Sequence, residues 1–224
     1  MEAFDRLLQA IEDCDVLAVR QLVAAHPALL EQTDEYGCTA LMDAVSCPSR
    51  DVAVIREFLD AGAKVNWQTV EGYTALHCAI DVNFEANLNS REVLTLLIDA
   101  GADLTLKQHY GWTPLLRAVV EGTPMEVDTL LSAGANPNET LPQDTLPAFN
   151  AGHTTLMAAL PTCDSEAKIE SLLLAGADLR ARDANGATFF DYCADLLGQY
   201  PEGEFAEKII RCREMALKFD HGAS

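Results

Sequence analysis

Asp60-Ala-Gly-Ala63, Asp99-Ala-Gly-Ala102, Ser132-Ala-Gly-Ala135 and Leu174-Ala-Gly-Ala177 are four versions of one phrase, and their regular return decides the fold. Ten residues after the glycine of the first, second and fourth comes another glycine, and a threonine-led triplet follows. These are Gly72 with Thr74-Ala75-Leu76, Gly111 with Thr113-Pro114-Leu115, and Gly186 with Thr188-Phe189-Phe190. The turn glycines Gly37, Gly72, Gly111, Gly152 and Gly186 lie 35, 39, 41 and 34 residues apart. Such a period makes the chain a stack of similar units, each burying its apolar face against the next.

Within a unit the physics has three parts. The threonine hydroxyl caps a short first helix, and Pro114 suits a first turn. A second helix carries apolar residues at helical spacing, as in Val93, Leu96, Leu97 and in Val127, Leu130, Leu131. The glycine of Ala-Gly-Ala stops it, because the left-handed C-cap conformation costs glycine little. About ten turn-prone residues then lead to the next unit.

These residues resemble the ankyrin repeat family. Thr74-Ala-Leu-His77-Cys-Ala79 is close to that family's Thr-Pro-Leu-His-x-Ala signature, and Ala133-Gly-Ala-Asn-Pro-Asn138 to its Gly-Ala-Asp-x-Asn segment. The resemblance covers roughly residues 34 to 197. It implies an all-α solenoid of about six helix-turn-helix units with projecting hairpin-like loops. It also implies that His77 bonds neighbouring backbone. The histidine is kept only there; Met42, Leu116, Met157 and Asp191 stand in its place elsewhere.

Both ends read as caps, with one apolar and one wet face. Residues 2 to 13 put Phe4, Leu7, Leu8 and Ile11 on one helical face, and residues 205 to 219 do the same with Phe205, Ile209, Cys212, Ala216 and Phe219. The expected organisation is one ankyrin-repeat domain over 1–224: a cap at 1–33, repeats at 34–68, 69–107, 108–148 and 149–182, and a final repeat and cap at 183–224. Two irregularities stand out. The third unit has about six extra residues near Asn83 to Ser90, and Pro137 to Asn150 adds eight residues to one projecting loop. Insertions in such stacks go to loops, often on a binding face.

The 224 residues carry 35 acids against 15 bases, a net charge of −20, and 49% are hydrophobic. No run approaches the roughly 20 apolar residues of a membrane span, and the acidic start lacks a signal-peptide layout. A soluble, cytoplasmic, monomeric protein is expected, with its seven scattered cysteines as free thiols. The acidic field repels nucleic acid and anionic membranes and favours a basic partner.

No set of residues in the sequence points to catalysis. The histidines His26, His77, His109, His153 and His221 fall in different units, none at metal-ligand spacing, and no phosphate-binding loop or nucleophile motif is present. No catalytic residue, metal or cofactor is expected, and the chain reads as a non-enzyme. By the resemblance, partners meet the projecting loops and the exposed side of each first helix, lining a concave surface. Tyr36, Tyr73, Tyr110, Trp112, His109 and His153 flank the turn glycines, and Trp67 enters the third unit. Asp81 and Glu121 end first helices on that side. Tyrosine and tryptophan are favoured interface anchors. These nine residues are therefore the expected contacts for a protein with a basic or amphipathic surface. The chain would act as an adaptor, inhibitor or antitoxin-like neutraliser. The alternatives are a ligand-binding protein or enzyme with a site near the 137–150 loop, and self-association along the solenoid axis, which the like charges oppose.

Overall fold

The computed structural model describes residues 3–80, 89–142, 152–162 and 164–222. Within them the chain is helical, with no strands beyond two isolated bridges, Thr33 to Thr39 and Thr140 to Thr154. It forms two compact units, Met1–His109 and Tyr110–Ser224.

The first unit holds α1 (Ala3–Glu12), α2 (Val16–Ala25), a 3-10 turn (Pro27–Leu30), α3 (Ala40–Ser46), α4 (Val52–Asp60), α5 (Ala75–Ala79) and α6 (Ser90–Asp99). Consecutive helices pair as α1 with α2, α3 with α4 and α5 with α6. The pairs stack in two rows: α1, α3, α5 in one and α2, α4, α6 in the other. Val45, Ile55, Phe58, Leu76, Leu94 and Leu97 fill the space between the rows. The second unit repeats the plan with α7 (Pro114–Val120), α8 (Pro124–Ser132), α9 (Thr155–Ala159), α10 (Ser165–Leu174), α11 (Phe189–Gln199) and α12 (Glu204–Gly222). There α7, α9 and α11 form one row and α8, α10 and α12 the other, around Leu115, Leu130, Met157, Ile169 and Phe189. The three helix pairs in each unit match the expected six repeats, terminal ones included.

Local chemistry explains why the elements recur. Thr39, Thr74, Thr113, Thr154 and Thr188 each cap a first helix, their hydroxyls accepting from the third helical N–H. At Thr74 the partner is His77: its Nδ1 lies 2.8 Å from Thr74 Oγ1 and accepts from the Thr74 N–H at 3.3 Å. The buried histidine is thus half of a capping box, doing what glutamate does in other proteins. At the far ends of α4, α6, α8 and α10, glycines 62, 101, 134 and 176 adopt φ of +87, +88, +96 and +89°. The residue after each donates back to the carbonyl five positions earlier, as Ala63 does to Phe58 at 3.0 Å. A Cβ at these glycines would meet none of the described residues within 4 Å, so it is the backbone conformation that demands glycine there.

Three buried or half-buried cations complete the stack. Arg50, just before α4, donates to the Ala79 carbonyl at the end of α5 (3.0 Å) and to Ser90 Oγ (3.2 Å). Lys168 of α10 donates to the Val119 carbonyl of α7 at 3.0 Å, and Lys208 of α12 to the Thr162 carbonyl at 3.1 Å. Arg50 and Lys168 thus place positive charge at the negative ends of α5 and α7, whereas the Lys208 acceptor lies three residues beyond α9. Asparagines tie adjacent units as well. Asn66 donates to the Gly101 carbonyl (2.9 Å) and accepts from the Asp103 N–H (2.7 Å); Asn138 does the same with Gly176 (3.2 Å) and Asp178 (2.7 Å).

The six described cysteines are free thiols. Burial pushes Cys193 up to about 12, which keeps it a protonated core side chain. No described helix is long and apolar enough to cross a membrane.

Candidate partner-binding surface

The projecting loops are small hairpins fixed by side-chain acceptors. Asp34 Oδ1 accepts from the N–H groups of Tyr36 (2.9 Å) and Cys38 (2.8 Å), turning the chain so that Tyr36 stands at the tip. In the next loop Thr69 Oγ1 accepts from the Tyr73 N–H at 3.0 Å. Backbone bonds join loop to loop: Val70 N–H to Tyr36 O at 3.1 Å, and His109 N–H to Glu71 O at 2.6 Å. A Cβ on Gly72 would sit 3.0 Å from the Lys107 carbonyl, so this turn needs glycine for close approach as well as for its φ of +80°. Trp67 braces the same stack, its Nε1 donating to the Gly37 carbonyl at 3.0 Å.

The expected contact residues separate on this scaffold. In the first unit Tyr36 stands 67% exposed, Trp67 and Tyr73 are half-buried, and His109 is exposed. Tyr73 packs edge-on against His77 with centroids 6.0 Å apart. In the second unit Tyr110 is 46% exposed and leans on Trp112. Trp112 itself is 1% exposed, a core side chain with no surface to offer. His153 is equally buried; its ring packs 4.4 Å from Tyr192, and Nε2 lies 3.8 Å from Asp183. Burial pushes the His153 pKa down, and the Asp183 charge pulls partly against it. Glu121 is half-buried and pairs with Arg117 at 3.4 Å. Asp81 lies outside the described residues, as do residues 83–88 of the first insertion and 143–150 of the second. The stem of that second loop is described: Leu141 N–H donates to His153 O (2.8 Å) and Thr155 N–H to Glu139 O (3.1 Å).

One residue that sequence reasoning passed over belongs with the exposed set. Val70 is 83% exposed beside Tyr36. Together they rim a cavity of about 420 Å³ lined by Glu35, Tyr36, Cys38, Thr69, Val70, Glu71, Tyr73 and Cys78. A lone valine in a turn has no periodic signal by which the sequence could have singled it out. Asp43, on the first turn of α3, is raised by burial and by the Asp34 charge to about 6. The Cys38 thiol, pushed up to about 11 by burial and then by Asp34, Cys78 and Asp43, stays protonated. Among the described residues no group of three or more His, Cys, Asp or Glu is placed to hold a metal ion.

Stacked helix pairs with capped first helices and tight projecting loops define a helical repeat protein of the interaction type. The family profile for ankyrin repeats (3 copies) matches residues 7–108 and 52–141, and the chain belongs to the ankyrin repeat family. Protein fem-1 homolog A-like of Mus musculus is 33% identical over 179 residues, which is 79% of this chain and 26% of that protein. SH3 and multiple ankyrin repeat domains protein 2 of Homo sapiens is 31% identical over 147 residues, 64% of this chain and 7% of that protein. The chain thus spans about a quarter or less of the length of these two relatives. The crystal structure of an ankyrin repeat domain from Acinetobacter baumannii AYE matches with a TM-score of 0.68 at 25% identity, covering 92% of this chain and 96% of that one. Ankyrin repeats are general protein–protein interaction modules.

Proposed function

We propose that this chain is a non-catalytic module that binds a protein through the loop tips and first-helix faces, acting by occupying its partner as an adaptor or inhibitor. The observation that carries this reading is the pairing of exposed Tyr36 and Val70 on adjacent, hydrogen-bonded loops. Large apolar side chains held rigidly in solvent at loop tips favour a partner that covers them. Around them stand acids, Glu35 and Glu71 on the same two loops, which favours a basic or amphipathic partner surface. Trp67, Tyr73 and His109 widen this patch in the first unit; Tyr110 and Glu121 are further contacts offered by the second.

Affinity capture from lysate tests it, with wild type run beside a Tyr36→Ala/Val70→Ser/Tyr110→Ala variant. All three side chains are exposed, so the variant should fold like wild type by circular dichroism. A protein held by wild type and lost by the variant is the expected result. Equal capture by both would move the interface elsewhere, and specific capture by neither would sink the module reading.

A further inference from the structure

We infer that the cavity between the first two projecting loops receives an arginine side chain of the partner. This rests on the binding-module reading and names the chemistry that this cavity selects. At about 420 Å³ the cavity is within the range of small-molecule sites and ample for one long side chain. Its walls offer what a guanidinium needs. Tyr36 and Tyr73 line the cavity with the aromatic rings on which a planar cation stacks, and Glu35 and Glu71, one from each loop, line it with the carboxylates that pair with forked N–H donors. Val70 and Thr69 give aliphatic surface for the methylene stem.

The charge balance points the same way. Asp34 and Asp43 lie near enough to act on the Cys38 thiol of the lining, and among the described residues no lysine or arginine lines the cavity. The nearby Lys64 is engaged with Glu31 at 2.8 Å and lies 5.8 Å over the Trp67 ring. The Asp43 carboxyl is raised by burial and then by the Asp34 charge, with no positive group among the causes. Arginine suits the site better than lysine because its planar, weakly hydrated head stacks and forks at once, whereas an ammonium is a compact, strongly hydrated point charge.

The test is a titration of nitrogen-15-labelled protein with N-acetyl-arginine amide, N-acetyl-lysine amide and N-acetyl-citrulline amide, the last a neutral isostere. Arginine amide should give saturable shifts at the amides of Tyr36, Cys38, Thr69, Val70 and Glu71, with an affinity on the order of 1–10 mM for so small a ligand. Citrulline amide should bind about tenfold more weakly or not at all, since it lacks the charge-assisted bonds. A Tyr36→Ala/Glu71→Gln variant changes two exposed side chains, keeps its spectrum elsewhere, and should lose the arginine shifts. No saturable shift, equal binding of citrulline, or lysine binding as well as arginine would each overturn the assignment. Lysate capture is scored separately. A partner captured by wild type with no arginine binding would sink the pocket and leave the module standing. Arginine binding without any captured partner would do the reverse.

Discussion

At the scale of single residues, half-buried Asp43 and buried His153 act on stability in opposite directions. The Asp43 carboxyl is raised to about 6 by burial and Asp34, so the folded state holds its proton more tightly than the unfolded chain does. That contribution is present below the ordinary value of 3.8 and is lost as pH rises through about 6. An Asp43→Asn variant should therefore match wild type near pH 4 and exceed it above pH 7, by on the order of 1 kcal/mol once solvent screening is allowed for. Urea unfolding of both proteins across that range checks it; a variant less stable at pH 7 would refute the argument. His153 has the opposite sign. Burial lowers its pKa, and among the described residues neither ring nitrogen has a hydrogen-bond partner. The unfolded chain then binds the proton more readily, and stability is lost as pH falls below about 6.5. A His153→Phe variant should lose less stability than wild type between pH 7 and pH 5.5, because it removes that titration. If the two curves run parallel, His153 is not responsible.

At the scale of elements, what was legible in the sequence is what backbone chemistry imposes. The Ala-Gly-Ala stops and threonine caps had to be written in glycine and threonine, so the helix pairs and their number could be read directly. Contacts between elements left weaker traces. Trp112 and Tyr110 are two residues apart on one turn, yet one is core and the other exposed, because the chain direction past Gly111 decides it and composition does not. The cationic helix stops were invisible for a related reason: Arg50 and Lys168 read as ordinary polar residues at second-helix starts until a neighbour's carbonyls close over them. Arg50 is 4% exposed and sits at φ +38°, an unfavourable conformation for a side chain of its size. Arg50→Ala should cost about 2–4 kcal/mol, since it leaves the end of α5 and Ser90 without a buried charged donor. Hydrogen exchange should show the loss first at α5 and α6. A change within about 0.5 kcal/mol, as at ordinary surface sites, would mean that water replaces the guanidinium.

At the scale of the whole molecule, the balance of 35 acids to 15 bases governs how a partner arrives more than how tightly it is held. Exposed charges on both sides raise the association rate over distances comparable to the Debye length, which shrinks from about 10 Å at 0.1 M salt to about 3 Å at 1 M. Desolvated contacts at Tyr36 and Val70 feel that screening far less and act on dissociation. The two contributions should therefore separate in a stopped-flow or surface-binding experiment with the captured partner. Raising salt from about 0.05 to 0.5 M should slow association by roughly tenfold or more and change dissociation by less than about twofold. The Tyr36→Ala/Val70→Ser change should do the opposite, speeding dissociation while leaving the association rate and its salt slope nearly as they were. Salt-independent association would show that the acidic surface serves solubility alone, and the partner would then be selected by the shape and apolar chemistry of the loop tips.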